Sequence, residues 1–392
     1  MLKILGLELK NFAQVPNKLR DNPSKNHPSN QIGANLGTVC HHLYLDTYGI
    51  APPDPNPAYC LYSPMFTADP RLRVIRNGLG SHKEAKVGEY NRFGKAFCRW
   101  FLYEHCGITY FAHMDDILGK HLHPGFGDFR VIRTCEGDTP DYFCAESTTK
   151  LFLAEAKGTA ASISFKSAKF TEWRNQFKRV TITNSSRNTF SIKGYIVATR
   201  IVSESQPRTI SKLLAEDPWS RGQIPIDENA AATIGRLIVT QHYANILEKL
   251  RFPLLAFALR NAAVLPAELG IRVGVWRCPI PHLKEHRFVG GFFSPKDAPV
   301  IGRFFWESPF RPYRDVSLYP SLDLSAGGFT FFGLEMEIFK AVRKITLLNA
   351  QATDGVRPLA VKDDLPIGFS LLRDGSVIAP LEWFVFEGVT EL

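Results

Sequence analysis

The chain has 392 residues, 45% of them hydrophobic and 22% charged, which excludes disordered, collagenous and coiled-coil classes and leaves room for roughly two to three domains. Its formal charge of +9 is placed unevenly: residues 1–200 hold 26 Lys and Arg against 17 Asp and Glu, whereas residues 201–392 hold 21 against 21. Between Lys166 and Arg200 eight basic residues face one acidic residue, Glu172, with Phe170, Trp173 and Phe177 interleaved. That is the footprint of a polyanion partner, nucleic acid before membrane, although a solvated basic helix face gives the same pattern.

In chain order, the opening Met1-Leu-Lys-Ile-Leu-Gly-Leu-Glu-Leu-Lys10 becomes charged too early for a secretory signal. The Asn-Pro-Ser-Lys-Asn-His-Pro-Ser-Asn run at 22–30 and the proline cluster at 51–57 cannot be regular elements, so residues 1–80 read as a loop-rich N-terminal extension with short strands. Ser81 is placed to cap a helix reaching Cys106, which Gly107 ends. Short apolar runs bounded by turn formers predict strands at Ile108–Ala112, Asp141–Ala145 and Leu151–Ala156. A helix over Ser167–Val180 and a strand over Lys193–Val202 complete an α/β core spanning 81–205. Beyond Gln206 come a linker, a helix from Glu228 to about Arg251 that Pro253 bends or ends, and strands within Ile271–Cys278, Phe288–Phe293, Phe329–Phe332 and Val377–Phe386. Residues 206–392 thus read as an antiparallel α+β accessory domain of near-neutral charge, suited to a protein partner. The longest apolar run, Phe252–Leu259, is stopped by Arg260 far short of the roughly 18 residues a membrane span needs. Seven scattered cysteines without a C-x-x-C pair indicate no disulfide framework or zinc ribbon and predict a reducing cytoplasm.

The chemistry concentrates in Pro140-Asp-Tyr-Phe-Cys-Ala-Glu-Ser-Thr-Thr-Lys-Leu-Phe-Leu-Ala-Glu-Ala-Lys157. Residues two apart on a strand share a face, so Glu155 and Lys157 project together, and an adjacent strand can bring Asp141 beside them. Two carboxylates converging there make a hard, oxygen-only site suited to Mg²⁺ or Mn²⁺. A neighbouring lysine can polarise water or stabilise charge on a phosphate. The strings Glu8-Leu-Lys10 and Pro53-Asp54 with Glu84-Ala-Lys86 satisfy the same loose pattern, but Asp54 lies in the proline cluster and Glu84 and Lys86 diverge by about 200° around a helix.

Pro140-Asp141 with Glu155-Ala156-Lys157, in a helix, three-strand, helix, strand order, resembles the PD-(D/E)xK nuclease superfamily over about residues 81–202. The resemblance implies a restriction-endonuclease-like core, with Mg²⁺ or Mn²⁺ on Asp141, Glu155 and the Ala156 carbonyl, and Lys157 assisting the attacking water. It also implies a glutamate on the first helix, for which Glu89 on the border of the apolar stripe fits better than Glu84. Glu89 would complete a second metal position, and an ordinary helix glutamate near an N-terminus is the plain alternative. A glutamine on the second helix is expected near the active site in such nucleases, and Gln176 matches it; a solvent-facing amide is the alternative there. Lys166, Lys169, Arg174, Lys178 and Arg179 would track phosphates without reading sequence.

His121-Leu-His123 lies in a Gly/Pro loop, and His282-Leu-Lys-Glu-His286 follows two prolines that make helix doubtful, so neither pair is expected to bind zinc. No G-x-x-x-x-G-K-[ST] phosphate loop occurs. The expectation is a metal-dependent nuclease, acting on DNA before RNA, in DNA processing or host defence. Its rival is a nucleic-acid-binding or assembly subunit that keeps the nuclease fold without catalysis.

Overall fold

Leu2–Lys10 forms β1, Gln31–Asn35 β2, Leu36–Thr47 α1 and Lys83–Cys106 α2. There follow β3 (Tyr110–His113), β4 (Arg130–Arg133), β5 (Tyr142–Ser147), β6 (Lys150–Thr159), α3 (Ala168–Gln176), β7 (Val180–Thr183), β8 (Thr189–Phe190), β9 (Gly194–Arg200) and β10 (Lys212–Glu216). The computed structural model describes residues 1–47, 49, 65–76, 79–118, 129–186, 189–190, 192–218, 228–293, 310–311, 329–348, 355–361 and 364–392. By contacts the chain divides into one unit of residues 1–46 and 62–242 and a second of 47–61 and 243–392.

The first unit is α/β, built on a mixed seven-stranded sheet ordered β2-β1-β10-β9-β6-β5-β3. Helix α2 is held to one face by Phe93, Phe97 and Phe101, which pack with Val39 and Leu43 of α1 and with Ala154, Ala156 and Val197 of the sheet. Alternation sends Ile196, Ala198 and Leu214 to the opposite face, where they meet Phe170 and Trp173 of α3. In chain order the elements run α2, β3, β4, β5, β6, α3, β7, β8, β9, of which β3, β5, β6 and β9 lie in the main sheet. A small sheet ordered β4-β7-β8 stands apart from the main one.

Four local readings differ. Residues 1–80 contribute β1 and β2 to the main sheet, β1 lying between β2 and β10, instead of forming a loop-rich extension only. The first unit likewise runs past Gln206 to take in β10. Ser81 does not cap α2: the residue before the helix is His82, and no side-chain cap bond forms. Gly107, at φ +74, does close it, in the left-handed conformation that glycine adopts without a Cβ penalty. Helix α3 stops at Gln176 because a 3₁₀ turn over Phe177–Arg179 delivers Val180 into β7.

Where α2 crosses β6 the two backbones touch. A Cβ on Gly158 would stand 1.7 Å from the Tyr90 carbonyl oxygen, and one on Gly94 would stand 2.3 Å from the Gly158 nitrogen. Only glycine admits this approach, and it fixes the height of α2 beside Lys157. Gly158→Ala should therefore destabilise the protein by about 2–3 kcal/mol through overpacking, read as a lowered urea midpoint with unchanged slope.

Helix α4 (Glu228–Lys249) is followed by α5 (Pro253–Asn261), with Arg251 at φ +66 between them and Pro253 opening the second helix. The second unit holds β11 (Arg272–Arg277), β12 (Arg287–Phe293), β13 (Phe310–Arg311), β14 (Thr330–Glu335), α6 (Met336–Leu348), β15 (Ser370–Leu371), β16 (Ser376–Pro380) and β17 (Val385–Glu391). Six of these strands form a sheet ordered β15-β16-β14-β12-β11-β17, with β13 paired to β12, and every pairing is antiparallel. Its core is aromatic, with Trp276, Phe288, Phe292, Phe331 and Phe384 buried together. No helix among the described residues is long and apolar enough to cross a membrane.

Candidate active site

Strand β6 outruns its partner. Tyr142, the first residue of β5, pairs with Ala154, so the stretch from Glu155 onward has β9 on one side and no strand on the other. The side chain of Asp141 enters that gap: its Oδ2 accepts a 2.9 Å hydrogen bond from the Ala156 N–H. Since the N–H and C=O of a strand residue point to the same side, the Ala156 carbonyl also opens toward Asp141. The pairing register sets Glu155 opposite Ile196 and Lys157 opposite Ala198, so both acid and lysine project from the α3 face of the sheet. The Lys157 ammonium packs against Glu155 Oε1 as an ion pair and stands 4.0 Å from Asp141 Oδ2. Asp141, Glu155, Ala156 and Lys157 are thus brought together as their spacing predicts.

Glu155 is fully buried, and neither of its oxygens receives a hydrogen bond of ordinary geometry from the described residues. Burial, reinforced by the charge of Asp141, pushes its carboxyl up to about 8 against the opposing pull of Lys157. Burial works against the Lys157 ammonium too, but Glu155 and Asp141 outweigh it and raise its pKa above the ordinary lysine value. Lys157 is therefore a cation and a hydrogen-bond donor at neutral pH. Gln176 is buried at the end of α3, its Oε1 without a hydrogen-bond partner, on the helix that covers the face from which Glu155 and Lys157 project.

A divalent cation fits these residues. Beside the Lys157 ammonium, a divalent ion would further neutralise the buried Glu155 oxygens, and the Asp141 carboxylate and Ala156 carbonyl add hard oxygen donors. Among the described residues no group of three or more His, Cys, Asp or Glu side chains gathers to hold a metal.

Two placements differ from the sequence reading or extend it. Glu89 pairs with Arg92 one helical turn on, at 2.7 Å, and its Oε2 is buried without a hydrogen-bond partner. The α2 side chain that reaches the acids is instead Lys95, 3.3 Å from Asp141 Oδ1. Behind it lies Asp46, whose Oδ1 accepts from the Tyr142 hydroxyl at 2.6 Å and from Arg99 Nη1 at 3.1 Å, with His113 at 3.3 Å. Burial alone would raise the Asp46 carboxyl; His113, Arg99 and the Tyr142 hydrogen bond outweigh it, and its pKa falls below the ordinary value.

The five basic residues of the second helix region divide. Arg174 Nε donates to the buried Glu216 at 2.9 Å, and its Nη2 to the Phe165 carbonyl at 2.8 Å, so it braces α3 against β10. Arg179 Nη1 donates to the Asp138 carbonyl at 2.8 Å and holds the segment leading into Asp141. The other three of the five, Lys166, Lys169 and Lys178, are exposed, with Lys178 Nζ donating to Asn175 Oδ1 at 3.0 Å. If this chain binds nucleic acid through these lysines, replacing the three with glutamine should weaken that binding and lower the slope of log K against log salt by as much as about 3, while circular dichroism stays unchanged.

His282 and His286 lie at a run of turns, not on a helix; His286 Nδ1 is 3.4 Å from Glu335 and His282 Nε2 is 3.8 Å from Asp364. His121, His123 and Asp54 lie outside the described residues. Glu8 and Lys10 share a face of β1 but are spent on Lys212 at 2.6 Å and Glu216 at 3.3 Å. No family model, no curated protein and no solved structure matches the chain.

Proposed function

We propose that this chain is a divalent-metal-dependent nuclease of the PD-(D/E)xK type that hydrolyses phosphodiester bonds, with DNA as substrate ahead of RNA. One observation carries the reading: Asp141, the Ala156 backbone and the Glu155/Lys157 pair converge where β6 outruns β5, with the buried Gln176 on the helix above. Asp141, Glu155 and the Ala156 carbonyl would hold Mg²⁺ or Mn²⁺, which supplies Lewis-acid neutralisation of phosphoryl charge when bound. Lys157, protonated at neutral pH, donates to an oxygen on which charge develops in the transition state. Gln176 offers an unpaired Oε1 to orient the attacking water or the Lys157 ammonium. The exposed Lys166, Lys169 and Lys178 provide sequence-independent phosphate contacts.

The test is incubation of the full chain with linear, circular and single-stranded DNA and with RNA under Mg²⁺ and Mn²⁺, beside Asp141→Ala. Cleavage of at least one substrate, abolished by EDTA and absent in the variant, is the expected result; equal cleavage by Asp141→Ala would overturn the assignment. A second reading, a nucleic-acid-binding subunit without catalysis, draws on the two lysines that already neutralise the two carboxylates. Metal separates the two: saturating Mg²⁺ should raise the melting temperature of a working site by mass action and leave a purely structural one unchanged.

Because the Glu155 carboxyl is raised in the folded state from an ordinary 4.5 to about 8, the folded protein binds more protons than the unfolded one between those values. Metal-free protein should therefore lose stability as pH rises from about 5 to about 8. Glu155→Gln should flatten that portion of the melting-temperature profile.

A further inference from the structure

Four charged groups define the site, and their count is informative. Asp141 and Glu155 are the acids; Lys157 lies against Glu155 and 4.0 Å from Asp141 Oδ2, and Lys95 reaches Asp141 Oδ1 at 3.3 Å from the opposite side. The two oxygens of Asp141 are thus bracketed by two ammonium groups, one from the strand and one from α2. One divalent ion would leave the site at +2, the right sign for a phosphodiester. A second ion would double that: no third acid gathers with the pair among the described residues, Asp46 is matched by Arg99, Glu89 pairs with Arg92 through Oε1, and Asp138 acts on Lys157 only electrostatically. Lys95 is also held in place from behind, its ammonium 6.0 Å from the centroid of the Tyr142 ring and within the electrostatic reach of Asp46.

Building on the nuclease reading, we propose that the site takes a single divalent cation and that Lys95 serves as the second positive charge. Its ammonium, released from Asp141 Oδ1 when the metal arrives, contacts a non-bridging oxygen of the scissile phosphate. Lys95 then competes with metal in the free protein and assists substrate in the complex. These opposed effects distinguish it from a lysine that merely braces the fold.

Mn²⁺ titration of the full chain, followed by the electron paramagnetic resonance signal of free Mn²⁺, tests this. Wild type should bind one equivalent and Asp141→Ala none. Lys95→Ala should bind one equivalent about tenfold more tightly, since it frees Asp141 Oδ1 and removes a positive charge that repels the incoming ion. With DNA present at saturating Mn²⁺, Lys95→Ala should show a raised KM or lowered kcat that Lys95→Arg partly restores. Two equivalents in wild type, or unchanged or weaker Mn²⁺ binding in Lys95→Ala, would overturn the proposal while leaving the metal site standing. No binding by wild type, matching Asp141→Ala, would overturn the nuclease reading and this proposal with it.

Discussion

For the proposed nuclease, Lys157→Ala should lower the rate of Mg²⁺-dependent cleavage by about 10²–10³-fold at saturating metal and substrate, the usual cost of deleting one preorganised donor at developing charge. Its ammonium sits between both acids and is held cationic by them, so what is lost is a fixed positive charge in a partly buried setting where solvent cannot replace it. Removing Lys157 also strips Glu155 of its ion-pair partner. Metal-free Lys157→Ala should therefore keep Glu155 protonated to higher pH, and its metal affinity should change less than its rate. Single-turnover cleavage and Mn²⁺ binding on the same preparation check both. Retained cleavage would remove Lys157 from the chemistry.

Asp46→Ala should cost about 3–5 kcal/mol of stability, the penalty for leaving a buried charge without its partner. The stranded group is Arg99, whose side chain is 4% exposed and whose Nη1 is 3.1 Å from Asp46 Oδ1. The Tyr142 hydroxyl loses its acceptor at the same time. Asp46→Ala paired with Arg99→Met should recover much of the loss, because it removes the uncompensated cation and restores apolar volume. The pH dependence follows from the depressed Asp46 carboxyl: its contribution is present above the unfolded-state pKa and fades as pH falls through the lower folded-state value. Urea midpoints for the single and double variants at neutral and acidic pH measure all three effects.

Glu155 and Lys157 were legible in the sequence because a strand has a period of two and their separation needs no tertiary information. Asp141 was legible because the strand expected over Asp141–Ala145 opens on it, although the observed strand starts one residue later, at Tyr142. Lys95 was not. Helical arithmetic places it about 140° from Tyr90, away from the apolar stripe at Phe93, Phe97 and Phe101, and so assigns it to solvent. Its four-carbon arm spans the distance from that flank to the edge of the sheet, a reach that residue angles do not represent. Asp46 was hidden for another reason: its partners come from α2, β3 and β5, up to 96 residues away in sequence, and only the packed fold assembles them. Arg174 shows the converse error. Composition counts it with the surface lysines, but a buried Glu216 in a strand that the sequence reading did not place claims it.

Residues 1–80 were the least legible, since proline- and asparagine-rich runs interrupt them while the strand Leu2–Lys10 joins the main sheet. That strand runs parallel to Lys212–Glu216, with Gly6 opposite Lys212. During synthesis β1 can pair with β2 first, but its other edge waits for about two hundred residues before β10 exists, leaving the sheet that holds the core residues Leu5 and Leu7 incomplete on that side. Pairings of such sequence separation form slowly and leave unpaired edges open to other chains in the interval. The N-terminal strand is therefore a poor place for truncation, and chaperone demand during expression should track the availability of β10 more than the completion of the candidate catalytic core.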